Sequence, residues 1–252
     1  VLYAFQNAVK NKEIKLQLQP VKNVVNNTWQ EAEVLTRLIG AKENLISPGV
    51  FMPYLEKNGM MSELDCVVVE KSCELLRKWI DDKKKPLPIN INISGRDITE
   101  DIIYNRLVKT VKQYEIEPSL IGLEIKESAL FEDGDTVKKR INELRGGGFR
   151  VCMDDFGSGY TSITDLANLP VDMIKFAIPF VHNCIGSKKG TTMLKGLIGI
   201  FHKIDIPCVC KGIENMLQER LVRECGCQMS QGDVLEAAMD IEKFEKRFIY
   251  KE

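Results

Sequence analysis

Residues 149–160, FRVCMDDFGSGY, carry the pattern on which the fold prediction depends. The stretch begins as an apolar run, reaches the adjacent carboxylates Asp154 and Asp155, and continues into a turn that contains two glycines. A short apolar run that ends in turn residues is typical of a buried strand. One helix is predicted before it over Asp135–Arg145, and another is predicted after it over Thr161–Asn168. The stretch is therefore predicted to be a strand that connects two helices.

The same alternation of strand and helix extends in both directions from this stretch. Eight strands are predicted, at Lys15–Pro20, Thr28–Leu38, Leu87–Ser94, Leu120–Ile125, Phe149–Asp154, Asp172–Phe176, Pro207–Lys211 and Cys227–Gln231. The other helices are predicted at Ser62–Ile80, Ile102–Tyr114, Thr191–Lys203, Gln218–Glu224 and Ile241–Phe248. Strands that alternate with helices pair in parallel through right-handed crossovers. Eight such units in 252 residues predict an α/β fold, a TIM-like (β/α)8 barrel, and an open doubly wound sheet is the alternative.

The composition argues against a protein that binds DNA or a membrane. A net charge of −1 and a pI of about 6.3 are not those of a polycation that binds DNA or an anionic membrane surface. No apolar stretch approaches the roughly 20 residues of a membrane span, so we expect no membrane contact by this domain. Eight widely spaced cysteines indicate reduced thiols and a cytoplasmic domain, and a membrane-anchored full-length protein is compatible with this. Cys208-x-Cys210 and Cys225-x-Cys227 are interpreted as structural residues, because zinc pairs more often have a two-residue gap.

Polar side chains collect where the predicted strands end. They are Glu33, Arg37, Asn92, Glu124, Asp154, Asp155, Lys175, Lys211, Glu214 and Gln231. In a TIM barrel these ends converge on one mouth, and a buried charge is costly unless it is paired or bound to a metal. Carboxylate and amide oxygens suit Mg²⁺, Mn²⁺ or Ca²⁺, and two such ions can clamp a phosphoryl displacement. The residues alone predict a metal-dependent phosphodiester site, and an ion-pair network at the mouth is the alternative.

An ordered series of motifs runs through nearly the whole chain, from about Leu16 to Phe244. The segments are Gln19-Pro20, Glu33-Val34-Leu35-Thr36-Arg37, Ser47-Pro48, Phe51-Met52-Pro53, Asn92-Ile93-Ser94, Leu123-Glu124-Ile125-Lys126-Glu127-Ser128, Asp154-Asp155-Phe156-Gly157-Ser158-Gly159-Tyr160, Gly212-Ile213-Glu214 and Gln231-Gly232. The series resembles the EAL domain family of cyclic-di-GMP phosphodiesterases, and the DDFGSGY segment is its most specific part. The pair Glu31-Ala32 matches the first two letters of the E-A-L-x-R motif but is not its start. The spacing from Pro20 and the positions of the following Leu and Arg assign the motif glutamate to Glu33.

The resemblance implies a barrel of EAL type with the first strand antiparallel, and hydrolysis of cyclic-di-GMP to linear pGpG with Mg²⁺ or Mn²⁺. The roles it implies are metal binding for Glu33, Asn92, Glu124, Asp154 and Asp155; catalysis for Lys175, Glu214 and Gln231; substrate binding for Arg37, Gln19 and Asn92; and bracing of the loop 156–160 for Glu127. It also implies a homodimer through that loop and an upstream signalling domain, often one like a diguanylate cyclase. Because the chain opens on Val1, residues 1–14, with a helix at Leu2–Lys10, are expected to continue from that domain, and 15–252 to form the barrel.

Several positions depart from the family pattern, among them Ala238, which stands where the family has a proline. Lys211 stands where the family has the first glutamate of E-G-V-E, a ligand of the second metal. Lys126 replaces the Thr of L-E-I-T-E, Ala177 replaces an Asp that follows the strand of Lys175, and Asp233 replaces the Tyr of Q-G-Y. A cation placed among cation ligands weakens the binding of another cation. One metal site is therefore expected to survive and the second to be impaired, and the Lys211 ammonium is able to pair with Asp155 in place of the missing metal.

Three functions are compatible with this pattern. The favoured one is a regulatory domain that binds nucleotide but hydrolyses it poorly or not at all, since Arg37, Asn92, Glu124 and Gln231 are retained. The second is a working phosphodiesterase that tolerates Lys211, since Asp154, Asp155 and Lys175 are intact. The third is a protein-interaction module that binds no nucleotide, with the mouth sealed by pairs of lysine and carboxylate side chains.

Overall fold

The first two strands form an antiparallel hairpin because only four residues connect them. In the computed structural model, which describes residues 6, 8–11, 13–39, 45–129, 134–159 and 169–250, β1 covers Ile14–Asn23 and β2 covers Thr28–Ile39. In the connection, the Asn23 side chain accepts hydrogen bonds from the backbone N–H groups of Val25 and Asn26 at 3.0 and 3.2 Å. Asn27 adopts a positive φ of 59°, which asparagine tolerates in turns. A connection this short reverses the chain direction.

Eight strands close into a barrel. The remaining strands are β3 (Leu45–Ile46), β4 (Ile89–Ile93), β5 (Ile121–Lys126), β6 (Arg150–Phe156), β7 (Met173–Phe176), β8 (Cys208–Cys210), β9 (Met229–Ser230) and β10 (Met239–Asp240). β1 pairs antiparallel with β2 and β9, and all successive pairs from β2–β4 to β8–β9 are parallel. β3 and β10 extend β2 and β1 outside this ring. The predicted TIM-like barrel with its first strand antiparallel is confirmed, and the open sheet is excluded because β1 joins both edges.

Helices surround the barrel. They are α1 (Pro48–Lys57), α2 (Met61–Asp81), α3 (Gly95–Thr99), α4 (Asp101–Gln113), α5 (Gly134–Gly146), α6 (Ile178–Ile185), α7 (Lys188–Lys203), α8 (Met216–Glu224) and α9 (Ile241–Phe244), with a 3-10 turn at Pro118–Leu120 and a π-helical turn at Glu245–Ile249. The predicted helix Thr161–Asn168 lies outside the described residues, as does most of Leu2–Lys10, of which Gln6 and residues 8–10 are helical. Among the described helices, none combines the length and apolar character that a membrane crossing requires.

The barrel interior holds charged side chains at both of its ends. Glu31 and Glu33 are two positions apart on β2, so both point to the same face of the strand. Glu31 is 1% exposed and accepts hydrogen bonds from Asn90 Nδ2 at 2.6 Å and from an Arg150 guanidinium nitrogen at 2.8 Å. The Arg150 guanidinium also donates to Asn90 Oδ1 at 3.0 Å. This closed network fills the barrel end opposite the mouth. Glu31 therefore has a structural role in the barrel and is not part of the cluster at the mouth.

Candidate functional site

Lys175 lies at the centre of the barrel mouth. It is the third residue of β7 and its side chain is fully buried. Its Nζ donates to Glu124 on β5 and, at 3.3 Å, to Glu33 Oε2 on β2. Glu33 Oε1 accepts from Asn92 Nδ2 at 3.0 Å, and Glu33 Oε2 accepts from Gln231 Nε2 at 2.8 Å. Side chains from five strand ends thus meet around one ammonium group.

A second ammonium group lies beside the first cluster. Lys211 follows directly after β8, and its Nζ donates to Asp154 Oδ1 at 2.5 Å and to Asp155 Oδ1 at 2.8 Å. Asp154 is 4% exposed, and Asp155 has a positive φ of 54°, a conformation that non-glycine residues adopt at some cost and often at functional sites. The sequence predicted a pairing of Lys211 with Asp155, and the structure shows that Lys211 bridges both carboxylates.

The segments Gly212-Ile213 and Gln231-Gly232 contact each other and fix the backbone next to Lys211. The Ile213 N–H donates to the Gln231 carbonyl at 3.1 Å, and the Gln231 N–H donates to the Cys210 carbonyl at 3.0 Å. A Cβ atom on Gly232 would lie 2.2 Å from the Ile213 carbonyl oxygen, so this close approach requires glycine. His182 on α6 contacts the Gly212 carbonyl at 2.7 Å through Nε2. The position of Lys211 is therefore held by its neighbours on both sides.

The paired charges shift the pKa values in the mouth. Burial alone would raise the pKa of Glu33, but Lys175 and Lys211 outweigh burial and lower that pKa to about 2. Burial alone would lower the pKa of Lys175, whereas Glu124 and Glu33 raise it well above its usual value. Burial likewise opposes the charge on Lys211, and Asp154 is the main group that raises its pKa. Both ammonium groups are charged at neutral pH, and Glu33 is ionised.

The oxygen donors fit one divalent cation and not two. Glu124 Oε2 and Gln231 Oε1 are buried and have no hydrogen-bond partner among the described residues, so they remain open to a cation beside Glu33. The carboxylates of Asp154 and Asp155 are instead held by Lys211. In the described part of the chain, no three Asp, Glu, His or Cys side chains are grouped as a metal site.

The other residues predicted for the site fall into three groups. Gln19 joins the cluster, because its Oε1 accepts from Gln231 Nε2 at 3.2 Å, and its own Nε2 donates to the exposed Asp233 at 3.3 Å. Arg37 is half-buried and donates to the Thr36 carbonyl at 3.0 Å. Glu214 is exposed, and its backbone N–H donates to Gln218 Oε1 at 2.7 Å. No contact joins Glu214 to the cluster among the described residues, and its catalytic role stays a prediction.

The loop after β6 is hydrogen-bonded to Glu127, the residue that follows β5 and to which the family resemblance assigns a bracing role. Glu127 is buried, and its Oε2 accepts from the backbone N–H of Ser158 at 2.9 Å. Its own N–H donates to the Asp154 carbonyl at 2.9 Å. Tyr160, at the end of the predicted loop, lies outside the described residues. Ala177 is buried, and its N–H donates to the Phe156 carbonyl at 2.9 Å, so this departure leaves a methyl group near the base of the same loop.

A cleft of about 630 Å³ opens beside the cluster. Its lining includes Glu33, Asn92, Ser94, Lys126, Ser128, Met52 and the carboxyl pair Asp65 and Asp97. Ser94 Oγ donates to Asp97 Oδ2 at 2.6 Å and accepts from the Asp97 N–H at 3.1 Å. The sequence analysis missed both aspartates. The spacing Ser94-x-x-Asp97, which is typical of a helix-capping side chain, was the available signal.

Comparison with known proteins agrees with the fold. The EAL domain model matches residues 3–238. The signaling protein YkoW of Bacillus subtilis is 28% identical over 244 residues, which are 97% of this chain and 30% of YkoW. The cyclic di-GMP phosphodiesterase PA2567 of Pseudomonas aeruginosa is 28% identical over 246 residues, 97% of this chain and 42% of PA2567. The solved c-di-GMP complex of the Pseudomonas aeruginosa MucR phosphodiesterase has a TM-score of 0.90 at 25% identity and covers 96% of this chain and 98% of that one. The chain therefore spans less than half the length of YkoW and PA2567.

Proposed function

The chain belongs to the EAL domain family, and on this basis we propose that it is a cyclic-di-GMP-binding regulatory domain with impaired phosphodiester hydrolysis. Two relatives named above are cyclic-di-GMP phosphodiesterases, and one was solved with that nucleotide bound. The mouth keeps Arg37, Gln19 and Asn92 for nucleotide binding and Glu33, Asn92 and Glu124 for the first metal. Asp154, which the family resemblance also assigns to metal binding, is paired with Lys211. Of the departures from the pattern, Lys211 lies beside Asp154 and Asp155, Lys126 lines the neighbouring cleft, and Asp233 contacts Gln19.

The observation that carries the proposal is the bridge from Lys211 Nζ to Asp154 and Asp155. At about 4 Å and an effective dielectric constant of about 20, repulsion between two unit charges costs about 4 kcal/mol. A divalent cation between these carboxylates would meet that repulsion or would have to displace the ammonium group. Because lysine stands at position 211 where the family has glutamate, the local charge is also two units more positive than in the family pattern. Occupancy of a second metal position is therefore strongly disfavoured.

One divalent cation fits the other side of the mouth. Glu33, Asn92 and Glu124 would hold Mg²⁺ or Mn²⁺ there, and the open Glu124 Oε2 supports this assignment. Such a cation supplies charge stabilisation to a phosphoryl oxygen when it is bound. Within this chain, Lys175 orients Glu33 and Glu124 by hydrogen bonds and lowers the pKa of Glu33, and Gln231 fixes the second oxygen of Glu33. Burial and the neighbouring Glu33 raise the pKa of Glu124. Arg37, half-buried at the end of β2, would contact a phosphate.

A working phosphodiesterase is the second candidate function. The specific observation in its favour is that Asp154, Asp155 and Lys175 all lie in the mouth together with Glu33 and Glu124. Displacement of the Lys211 ammonium toward solvent would free both aspartates. This candidate therefore requires that two ion pairs, one of them nearly buried, break when metal binds.

Calorimetry with cyclic-di-GMP separates these functions. The titration is run with and without Mn²⁺, and pGpG is quantified from the same samples. Binding with little or no turnover is expected for the wild-type protein, and Arg37→Ala is expected to weaken that binding. Turnover comparable with a phosphodiesterase relative would support the second candidate. Absence of binding under both conditions would contradict the proposal and favour an interaction module.

We also propose that the domain forms a homodimer through the loop after β6 and works downstream of a signalling domain in the full-length protein. The Glu127–Ser158 hydrogen bond, which orders the beginning of that loop, supports the first part. The short span of this chain relative to YkoW and PA2567 supports the second part. Sedimentation velocity is expected to show a dimer, and a monomer at the concentrations used for calorimetry would contradict the dimer proposal.

A further inference from the structure

We infer that Lys126 binds a phosphate group of the cyclic dinucleotide and, together with Lys211, makes nucleotide binding independent of divalent cations. The inference depends on the proposed function, because it concerns the same cleft. It adds a ligand-binding residue at a position where the EAL motif has threonine. It also explains how the site retains affinity for an anion after it has lost one of its cation positions.

The position of Lys126 places its side chain in the cleft. Lys126 is the last residue of β5, two positions after Glu124, so both side chains leave the strand on the same face. Glu124 points into the barrel and is fully buried, whereas Lys126 lies at the rim and is exposed. It lines the cleft together with Asn92, Ser94 and Ser128. Within the described part of the chain, the Lys126 ammonium has no ion-pair partner, so it is free to bind an anion.

The charges of the cleft favour this role. The lining of the cleft includes Glu33, Glu56, Asp65, Asp97 and Glu100, and Lys126 is the one basic residue among the lining residues that the structure describes. A cyclic dinucleotide carries two negative phosphodiester groups, and an acidic cleft repels it unless a cation intervenes. In a two-metal site that cation is an exchangeable ion. Here Lys126 is a covalently fixed cation at the same rim.

Lys211 and Lys126 together replace the charge that a divalent ion would bring. Four carboxylates face the mouth, on Glu33, Glu124, Asp154 and Asp155. The single positive charge of Lys211 is shared between the last two, and that of Lys175 between the first two. Relative to the family pattern, Lys211 adds two units of positive charge and Lys126 adds one. The sum exceeds the charge of one divalent ion. An anion therefore meets a mouth that is no longer strongly acidic, without any metal bound.

The test is the affinity for cyclic-di-GMP in the presence of a chelator, measured for variants at position 126. Wild-type protein is expected to bind equally well with EDTA and with Mg²⁺. Lys126→Thr, which introduces the family residue, is expected to weaken binding in EDTA by roughly tenfold, because a charge-assisted contact to phosphate is lost. Lys126→Arg is expected to restore most of the affinity. Lys109→Thr, at an exposed lysine of α4, is the matched control and is expected to bind like wild type.

The outcomes distinguish this inference from the proposed function. Wild-type binding that disappears in EDTA, or equal affinities of Lys126→Thr and wild type, would overturn the inference and leave nucleotide binding intact. Absence of wild-type binding in both buffers would overturn the proposed function and the inference with it. Equal losses in Lys126→Thr and Lys109→Thr would show a general charge effect and would also overturn the assignment to Lys126.

Discussion

At the scale of single residues, the identity of residue 211 decides which cation lies between Asp154 and Asp155. The order of the motifs identified this position from the sequence. The sequence also showed that the charge there changes from negative to positive. The sequence did not show that Lys211 Nζ contacts both carboxylates at 2.5 and 2.8 Å. That result depends on the backbone of two loops, which the contact between Gly232 and Ile213 brings together. Motif spacing along the chain contains no information about such a contact.

Exchange of Lys211 for the family residue is expected to restore a metal position. In Lys211→Glu, the ammonium group is removed and a third carboxylate joins Asp154 and Asp155. We expect the affinity for Mn²⁺ to rise by at least about tenfold, since the removed repulsion alone is worth several kcal/mol. We also expect the hydrolysis of cyclic-di-GMP to increase. Calorimetry and pGpG quantification measure both. Lys112→Glu, at an exposed position of α4, is the control with the same charge change. A folded Lys211→Glu protein with unchanged Mn²⁺ affinity would show that Lys211 is not what excludes the ion.

The barrel end opposite the mouth provides a prediction about stability. A Cβ atom on Gly122 would lie 2.0 Å from Asn90 Oδ1, inside the network of Glu31, Asn90 and Arg150. Gly122→Ala is therefore expected to lower the free energy of unfolding by about 1–3 kcal/mol, the usual cost of overpacking. Urea denaturation measures the change. The control is Gly196→Ala on α7, where a Cβ meets no atom within 4 Å and where helix propensity predicts a gain of up to about 1 kcal/mol. A Gly122→Ala protein as stable as wild type would contradict the account.

At the scale of elements, the sequence predicted the strands of the barrel, including the short β7, β8 and β9, and the long helices, but it missed several short helices. The predicted bounds of β1, β2, α4 and α5 agree with the structure to within a few residues. The prediction missed α1, α3 and α6, which have 10, 5 and 8 residues. Periodicity needs a window of about 11–18 residues to distinguish helix from strand, and α1 also contains Pro53. These short helices are therefore fixed by tertiary contacts and caps, which leave little periodic signal in the sequence.

The contact between α2 and α3 predicts a pH dependence of stability. Burial raises the pKa of Asp65 well above its usual value, and the neighbouring Asp97 raises it further. A carboxyl with a raised folded-state pKa favours folding at low pH, and this contribution is lost as the pH rises through the folded-state pKa. Asp65→Asn removes the titration, so at neutral pH the variant is expected to be at least as stable as wild type. The difference should shrink on acidification. A stability difference that is independent of pH, measured by denaturation across the acid range, would contradict this.

The C-terminal segment is attached to α2 through one carboxylate. Glu245 is 6% exposed, and its Oε1 accepts from the fully buried Trp79 Nε1 at 2.9 Å and from Lys78 Nζ at 2.7 Å. Glu245→Ala leaves the indole N–H buried without an acceptor, and the free energy of unfolding is expected to fall by about 1–3 kcal/mol. Glu242→Ala, at an exposed position of α9, is expected to change it by less than about 0.5 kcal/mol. Similar effects of the two substitutions would exclude the proposed attachment.

At the scale of the whole molecule, closure of the barrel turns separate motifs into one site. β1 pairs with both β2 and β9, and this pairing brings Gln19, Glu33 and Gln231 together although they lie far apart in the sequence. The convergence of the strand ends was predictable from the fold class alone. The sequence left open an ion-pair network at the mouth as an alternative. It did not show the division into two clusters centred on Lys175 and Lys211, because that depends on the balance between burial and opposite charges at atomic distances.

The central claim is that the Lys211 ammonium occupies the place of a second divalent cation. The most direct measurement is anomalous diffraction at the manganese edge from crystals of the wild-type protein grown with Mn²⁺ and cyclic-di-GMP. We expect at most one manganese peak, beside Glu33 and Glu124, with Lys211 Nζ in contact with Asp154 and Asp155. Two manganese peaks bridged by Asp154 and Asp155, with Lys211 turned into solvent, would contradict the account.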